Sequence, residues 1–317
     1  KKGFTLVELL VVIAIIALLM GILMPALARV RRMAQRMVCG TNLSGIGKAM
    51  LVYSNENNDR FPVAGLHNSQ WTEDGEIEDW DGELRDDAYG TRGGDITITS
   101  CFYLLIKYAD ATPELFVCGG DTGTTEFDLA EADPQPDNFS IVDAWDFGSN
   151  AQDQPGDHCS YAYHLPVQGE TGASFPMSTT SNSSSPLAAD RNTFLDSDAA
   201  YVNDSGGATN TDQDDDPEWD SENREVVDED GVWNTSNHQR EGQNVLYVDS
   251  HVSFEDDVTV GIQEDNIYGY WSTDPSGGSF PDDQERQMGN KFPTDVGDGG
   301  PLHYEDAYLV NEVESDF

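Results

Sequence analysis

The chain opens with KKGFTLVELLVVIAIIALLMGILMPALA over residues 1–28, which is its most apolar segment. After Glu8, the twenty residues Leu9–Ala28 carry no charge. Twenty helical residues rise about 30 Å, which is the thickness of the hydrocarbon core of a bilayer. The composition therefore predicts a membrane-spanning helix that is headed by a carboxylate.

Three interpretations of this segment stay open on its composition. The first is a secretory signal peptide with a basic start and a small-x-small cleavage site at Ala26–Ala28. The second is a plain membrane anchor. The third is a filament-forming helix that begins as an anchor. Glu8 favours the third interpretation. A carboxylate costs about 2.5–3.5 kcal/mol near the middle of a membrane helix and less near its end. A helix that packs beside copies of itself can offset that cost with a positive group of a neighbour.

The residues Lys1–Leu10 resemble the head of the type IV pilin and type II secretion pseudopilin family. The family pattern is a short basic leader that ends in Gly, followed by Phe and then by Thr-Leu-Val/Ile-Glu. The resemblance implies cleavage between Gly3 and Phe4 by a membrane-embedded prepilin peptidase, and N-methylation of the new Phe4 amine. It also implies that Glu8 neutralises the Phe4 amine of an adjacent subunit during assembly. Pro25 lies where many family members carry a helix-loosening proline.

The helical pattern continues beyond the apolar segment, because apolar residues recur at helical spacing as far as Tyr53. Glycines in this region predict a bend or a break near Gly40–Ser44, and Pro62 ends the helix. We divide the chain into a leader remnant (residues 1–3), a transmembrane and filament-core helix (4–60) and an extracytoplasmic acidic globular domain (61–317).

Four arginines follow the apolar segment, namely Arg29, Arg31, Arg32 and Arg36. We interpret them as a solvated collar that faces lipid headgroups. The alternative is that they pair with the acidic bodies of neighbouring subunits.

Charge separates the head of the chain from its body. Residues 1–60 carry a formal net charge of +5, whereas residues 61–317 carry −48. A body this acidic excludes nucleic acid as an expected partner, because phosphate binding needs patches of Lys and Arg. It is typical of a surface that is screened by salt or by divalent cations.

The sequence of residues 61–317 predicts both helices and strands. Cys101–Tyr108 has the pattern of a short buried helix, Ser160–Leu165 alternates like a strand, and Asn244–Val248 with His251–Phe254 forms a β-hairpin. The fold class is therefore α+β, with a long pilin-like N-terminal hydrophobic helix packed on a C-terminal antiparallel β-rich domain with long acidic loops. The predicted loops are Asp74–Asp87, Gly119–Asp157, Thr171–Pro186 and Asp196–Asp230.

A second resemblance covers residues 238–252. They are similar to the C-terminal motif of a prepilin-like subgroup, which has a His, nine residues and then Asp-Gly. Here ten residues separate His238 from Asp249, and Ser250 replaces the Gly. We expect the hairpin to tolerate these departures. His238, Asp249 and His251 could also form a metal site or part of a Ser/His/Asp arrangement, although a structural role for the turn is favoured.

The chain contains four cysteines, namely Cys39, Cys101, Cys118 and Cys159. None of them forms a CxxC pair, which argues against zinc. An even number in a chain with an export-type head predicts two disulfides, and the three pairings stay open.

The densest acidic stretch raises the question of calcium. Asp212, Asp214 and Asp216 have the alternating spacing of the start of an EF-hand. Pro217 replaces the required Gly and no Glu closes the loop, so an EF-hand is excluded. Pseudopilins often hold a structural calcium in a late loop, so the resemblance keeps calcium as the candidate cofactor and these three aspartates as candidate ligands.

The combined interpretation is a structural subunit of a type IV pilus-like or type II secretion pseudopilus filament that polymerises through its N-terminal helix. The chain shows no GxSxG, HExxH or P-loop motif, so we do not expect an enzyme. Its expected partners are copies of itself, the inner membrane before assembly, prepilin peptidase and the assembly machinery. It would then lie in an extracellular or periplasmic filament. The alternatives are a membrane-anchored extracytoplasmic binding protein and a minor tip pilin, neither of which forms the body of the fibre.

Overall fold

The fold is given by a computed structural model. The structure describes residues 6–65, 69–71, 77, 79–90, 94–131, 139–148, 154–167, 174–192, 201–202, 208–209, 218–220, 225–227, 233–269, 271, 280–282, 286–287, 301 and 303–310.

The first helix dominates the described chain. Helix α1 (Leu6–Glu56) runs for 51 residues without interruption, so the prediction of a break near Gly40–Ser44 is wrong. Two glycines in this region allow close packing rather than interrupting the helix. A Cβ at Gly45 would lie 2.8 Å from Leu115 Cδ2, and a Cβ at Gly47 would lie 2.8 Å from Leu246 Cδ1. The packing of these neighbours against the helix outweighs the low helix propensity of glycine, which is about 1 kcal/mol per residue.

Shorter elements make up the body. The elements that precede the sheet are β1 (Gln70–Trp71), α2 (Arg85–Ala88), β2 (Asp95–Ile96) and α3 (Ile98–Ala109), and 3₁₀ turns cover Pro113–Phe116 and Pro155–His158. The remaining elements are β3 (Tyr161–His164), β4 (Pro186–Asp190), β5 (Tyr201–Val202), β6 (Ala208–Thr209), β7 (Glu218–Asp220), β8 (Glu225–Val227), a 3₁₀ turn at Ser236–His238, β9 (Gln243–Tyr247), β10 (Val252–Glu255) and β11 (Leu309–Val310).

Five strands form one antiparallel sheet in the order β10-β9-β4-β3-β11. This sheet and α1 confirm the predicted α+β fold. Helix α3 confirms the predicted buried helix, β3 the predicted strand, and β9 with β10 the predicted hairpin. The long loop predicted at Asp196–Asp230 is wrong in part, because β5 pairs with β6 and β7 pairs with β8 there.

Ser250 explains how the hairpin tolerates its departure from the Asp-Gly motif. Its φ angle is +69°, in the left-handed region where glycine is preferred. The backbone N–H of Ser250 donates to the carbonyl of Tyr247, which closes the turn. The turn therefore keeps a glycine-like conformation at a non-glycine residue.

The sheet is buried on both faces. Side chains alternate along its strands, so Tyr161 and Leu246 lie in the same core as the second half of α1, whereas Ala162 and Val245 lie in a second core behind the sheet. Helix α1 contributes fully buried Leu43, Ile46 and Met50 to the first core. The second half of the helix is therefore an integral layer of the body.

We expect Gly47→Ala to destabilise the body. The added methyl would meet Leu246 at 2.8 Å inside a closed core, and overpacking of this kind costs about 1–3 kcal/mol. The gain in helix propensity offsets about 1 kcal/mol. Urea unfolding of the full chain in detergent measures the difference. Gly21→Ala is the matched control, because a Cβ there meets nothing within 4 Å. Equal midpoints for the two variants would contradict this packing.

A pair of buried carboxyl groups lies in the layer behind the sheet. The indole Nε1 of Trp271 donates to Asp265 Oδ1 at 2.6 Å, and the backbone N–H of Trp271 donates to Asp306 at 3.3 Å. The backbone N–H of Ala307 also donates to Asp265. Burial, followed by the charge of Asp306, raises the pKa of Asp265 well above its usual value. The folded state therefore favours the protonated form of Asp265.

This pair should make stability fall with rising pH. Above a pH of about 4 the unfolded chain releases the Asp265 proton, whereas the folded chain retains it. The contribution of Asp265 to the free energy of unfolding therefore falls as the pH rises, until the pH exceeds the pKa of Asp265 in the folded chain. We expect Asp306→Asn to flatten the decline in melting temperature between pH 4 and pH 7. Asp256→Asn, which removes the same charge from an exposed position, is the control. Identical pH profiles for both variants would be inconsistent with a repulsive pair.

Candidate functional site, an exposed apolar helix joined to the body

Helix α1 is divided by what covers it. From Leu6 to Val38 none of its side chains is buried, whereas burial begins at Cys39. Leu6 is 77% exposed, and Val12, among the least exposed of the large apolar residues here, is still 46% exposed. The most apolar part has a mean hydropathy of 3.1 and is long enough to cross a membrane. An uncovered apolar surface of this length requires lipid or another protein to cover it.

Glu8 lies in the first turn of α1 and is exposed. The residues one turn further on, Val11 and Val12, are apolar. The carboxylate is favoured by the helix dipole at this end, but it is set in a surface that suits hydrocarbon. Gly3 and Phe4 lie outside the described residues, so their processing and the pairing of Glu8 with a Phe4 amine stay predictions.

Pro25 lies inside the continuous helix. Its ring nitrogen has no proton, so it cannot donate to the carbonyl of Gly21 four residues earlier. The Gly21–Pro25 turn is therefore the locally weak part of the exposed half, which agrees with the predicted loosening role without testing it.

The joint between helix and body is covalent. Cys39, the first buried residue of α1, forms a disulfide with Cys118. The prediction of two disulfides is wrong, because Cys101 and Cys159 are reduced and buried in separate surroundings. The Cys101 sulfur accepts the backbone N–H of Ala64, and the Cys159 thiol donates to a backbone carbonyl. Burial raises the pKa of the Cys159 thiol to about 12.

Two of the four arginines also belong to the joint. Arg32 donates to Gln239 Oε1 at 2.7 Å, and Arg36 forms an ion pair with Glu241. The Arg36 guanidinium carbon also lies 4.4 Å from the centre of the Phe254 ring. These arginines contact the body of their own chain, which neither sequence interpretation anticipated. The collar remains a prediction for the two exposed arginines, Arg29 and Arg31.

The histidines predicted near the hairpin have different surroundings. His238 is buried, and its Nε2 lies 2.9 Å from Asp190 Oδ2. His251 instead contacts Asp249 in the exposed turn, and this hydrogen bond lowers the pKa of Asp249. The structure therefore does not bring His238, Asp249 and His251 together as one site.

Asp190, which lies beside His238, was not among the predicted site residues. It ends strand β4 after the apolar Leu187–Ala189, and it is completely buried. A carboxylate at the end of a fully buried apolar run was the available signal. The calcium candidates Asp212, Asp214 and Asp216 lie outside the described residues, so that expectation stays a prediction.

Comparison with known proteins identifies the N-terminal segment. Residues 1–24 match the family model of the prokaryotic N-terminal methylation motif. The chain therefore carries a prepilin-type segment of the kind found in type IV pilins and pseudopilins. Its long apolar helix and antiparallel sheet fit the pilin-like fold. Searches of curated proteins and of solved structures found no match. The resemblance of residues 238–252 to a subgroup motif stays a prediction.

The disulfide should stabilise the oxidised chain. It closes a loop with a sequence separation of 79, for which chain entropy gives about 4.5 kcal/mol at 25 °C. We expect Cys118→Ala to lower the free energy of unfolding by about 2–5 kcal/mol under oxidising conditions. Cys159→Ala is the control, because that buried cysteine lies outside the disulfide. A Cys118→Ala variant as stable as the control would contradict a structural joint.

Proposed function

We propose that this chain is a structural subunit of a type IV pilus-like or type II secretion pseudopilus filament, and that it polymerises through α1. One observation carries the proposal: a single uninterrupted helix is exposed and free of charge over Leu9–Ala28 and is buried in the body from Cys39. In such a subunit the apolar half of α1 projects from a folded body. The match of residues 1–24 to the methylation motif supports this assignment.

The energetics favour association once the helix leaves lipid. Covering a Leu, Ile or Val side chain that would otherwise face water contributes about 1.5–3 kcal/mol. Lipid covers the helix before assembly, and the helices of neighbouring subunits cover it in the fibre. Glu8 makes the two environments unequal, because the carboxylate is costly in lipid and is compensated by a neighbouring Phe4 amine in the fibre.

The acidic body suits the coat of such a fibre. A net charge of −48 over residues 61–317 makes neighbouring bodies repel one another and keeps them hydrated. Association therefore depends on the apolar helix, and salt that screens the coat should favour it. We assign no catalytic role to the chain.

Processing and location follow from the same proposal. The subunit would be a single-pass inner-membrane protein with residues 61–317 outside, would be cut before Phe4 by prepilin peptidase, and would be inserted by an assembly machinery into an extracellular or periplasmic filament. Residues 1–3 would then be the remnant of the leader, and residues 4–60 the filament-core segment.

The alternative is an anchored binding protein or a minor tip pilin. A cavity of about 420 Å³ near the end of α1 is the observation that favours it. Arg60 and Arg85 line this cavity, together with Tyr53 and Asn57. Two arginines in so acidic a body would suit an anionic ligand. A tip protein would be scarce in sheared fibres, whereas the subunit that forms the fibre body would be abundant.

Glu8→Ala tests the proposal. Loss of even about 1.4 kcal/mol per interface weakens each association step about tenfold, so we expect fibres to disappear while the chain stays in the membrane fraction. Immunoblots of sheared and membrane fractions, together with electron micrographs of the sheared material, measure this outcome. The terminus of the wild-type chain in fibres should be Phe4, methylated, by mass spectrometry.

Glu56→Ala is the matched control, because Glu56 is an exposed carboxylate at the other end of the same helix. It should leave fibre yield unchanged. Fibres from Glu8→Ala at the wild-type level would overturn the role of Glu8. A wild-type chain that stays in membranes and is never found in fibres would favour the anchored alternative.

A further inference from the structure

Four buried side chains meet where α1 joins the body, and each comes from a different segment. Cys39 lies on α1, Cys118 follows the 3₁₀ turn Pro113–Phe116, Asp190 ends β4, and His238 ends the 3₁₀ turn Ser236–His238. One ligand atom from each lies within 4.8 Å of the other three. Their exposed fractions are between 0 and 3%. Sequence spacing could not reveal this group, because its members are far apart along the chain.

We propose that Cys39, Cys118, Asp190 and His238 form a tetrahedral Zn²⁺ site when the two cysteines are reduced. Two thiolates, one imidazole and one carboxylate are a ligand set that zinc accepts, and four protein ligands make a closed, structural site. Calcium and magnesium prefer oxygen ligands, so the two sulfur atoms exclude them.

The distances fit a metal between the ligands. Zinc–sulfur bonds of about 2.3 Å and zinc–nitrogen bonds of about 2.0–2.1 Å place neighbouring ligand atoms of a tetrahedron about 3.3–3.8 Å apart. His238 Nε2 lies 3.9 Å from Cys118 Sγ and 2.9 Å from Asp190 Oδ2. Side-chain shifts of less than 1 Å along these two contacts would give tetrahedral spacing. The sulfur atoms of Cys39 and Cys118, which are bonded to each other in the disulfide, would have to separate to about 3.8 Å after reduction.

The carboxylate of Asp190 gives independent support for a cation. Its Oδ2 accepts hydrogen bonds from the backbone N–H of Asn244 at 2.7 Å and from the Asn244 side-chain amide at 2.8 Å. Its Oδ1 is buried and accepts no hydrogen bond from the part of the chain that the structure describes. A buried carboxylate with unused acceptor capacity is costly unless a cation compensates it. Asn244 would orient this ligand from outside the coordination sphere.

Zinc and the disulfide exclude one another, because both need the same two sulfur atoms. Metal binding to the dithiol forms two Zn–S bonds and releases the two thiol protons. Closing the disulfide instead removes two electrons and two protons from the cysteines, and a disulfide oxidant that accepts them becomes two thiols. In either state, the filament helix is attached to the body at Cys39.

Cobalt binding to the full chain in detergent tests the site. The protein is reduced with a phosphine, stripped of metal with a chelator and titrated with Co²⁺ and then with Zn²⁺. We expect one Co²⁺ to bind per chain, with a thiolate-to-cobalt charge-transfer band and the intense visible bands of a tetrahedral centre. Zn²⁺ should displace the Co²⁺, and both sets of bands should then disappear. The oxidised chain should show neither band. Cobalt on the acidic surface gives no thiolate band, so the signal is specific to the cysteines.

Matched variants assign the ligands. The double variant Cys101→Ala/Cys159→Ala retains Cys39 and Cys118 and should bind Co²⁺ like the wild type. Cys39→Ser/Cys118→Ser should lose the charge-transfer band, and Asp190→Asn should weaken zinc affinity at least about tenfold. A reduced wild-type chain without the thiolate band would overturn the proposal, whether or not the variants fold. A band that persists in Cys39→Ser/Cys118→Ser, or one that requires Cys101 or Cys159, would also overturn it.

Discussion

The structure depends on one constraint: a single rigid helix must serve two different apolar environments. Its second half is a layer of the body, where Leu43, Ile46 and Met50 are fully buried against the sheet. In its first half, the uncharged residues Leu9–Ala28 are all exposed. Because the helix is continuous, whatever covers the first half fixes the position of the body. The Cys39–Cys118 disulfide and the Arg36–Glu241 ion pair lie at the boundary between the two halves, where the attachment is most needed.

The body accommodates this helix through small residues and a sheet that is covered on both sides. Gly45 lets Leu115 of the 3₁₀ turn Pro113–Phe116 approach the helix backbone closely, and Gly47 does the same for Leu246 of β9. The opposite face of the sheet is covered by a second core that includes Trp233, Ile267 and Tyr268.

The sequence was sufficient for the parts of the fold that local pattern controls. Hydropathy and the methylation motif predicted the apolar helix, alternation predicted β3 and the hairpin, and a compact apolar run predicted α3. It failed where the outcome depends on tertiary contacts. By local propensity Gly45 and Gly47 predict a break in the helix, but the side chains of Leu115 and Leu246 pack closely against them. The pairing of Cys39 with Cys118 depends on how α1 packs on the body, and the meeting of His238 with Asp190 depends on β4 lying beside β9. Spacing along the chain encodes neither.

We propose that copies of this chain cover the apolar half of α1 in the assembled fibre. An electron cryomicroscopy map of fibres purified from the cells that make this protein would show what covers these helices. We expect the first halves of α1 to form the centre of the fibre, with Glu8 beside the amino end of a neighbouring subunit and the acidic bodies outside. A map in which these helices face solvent, or fibres that lack this chain altogether, would contradict this proposal.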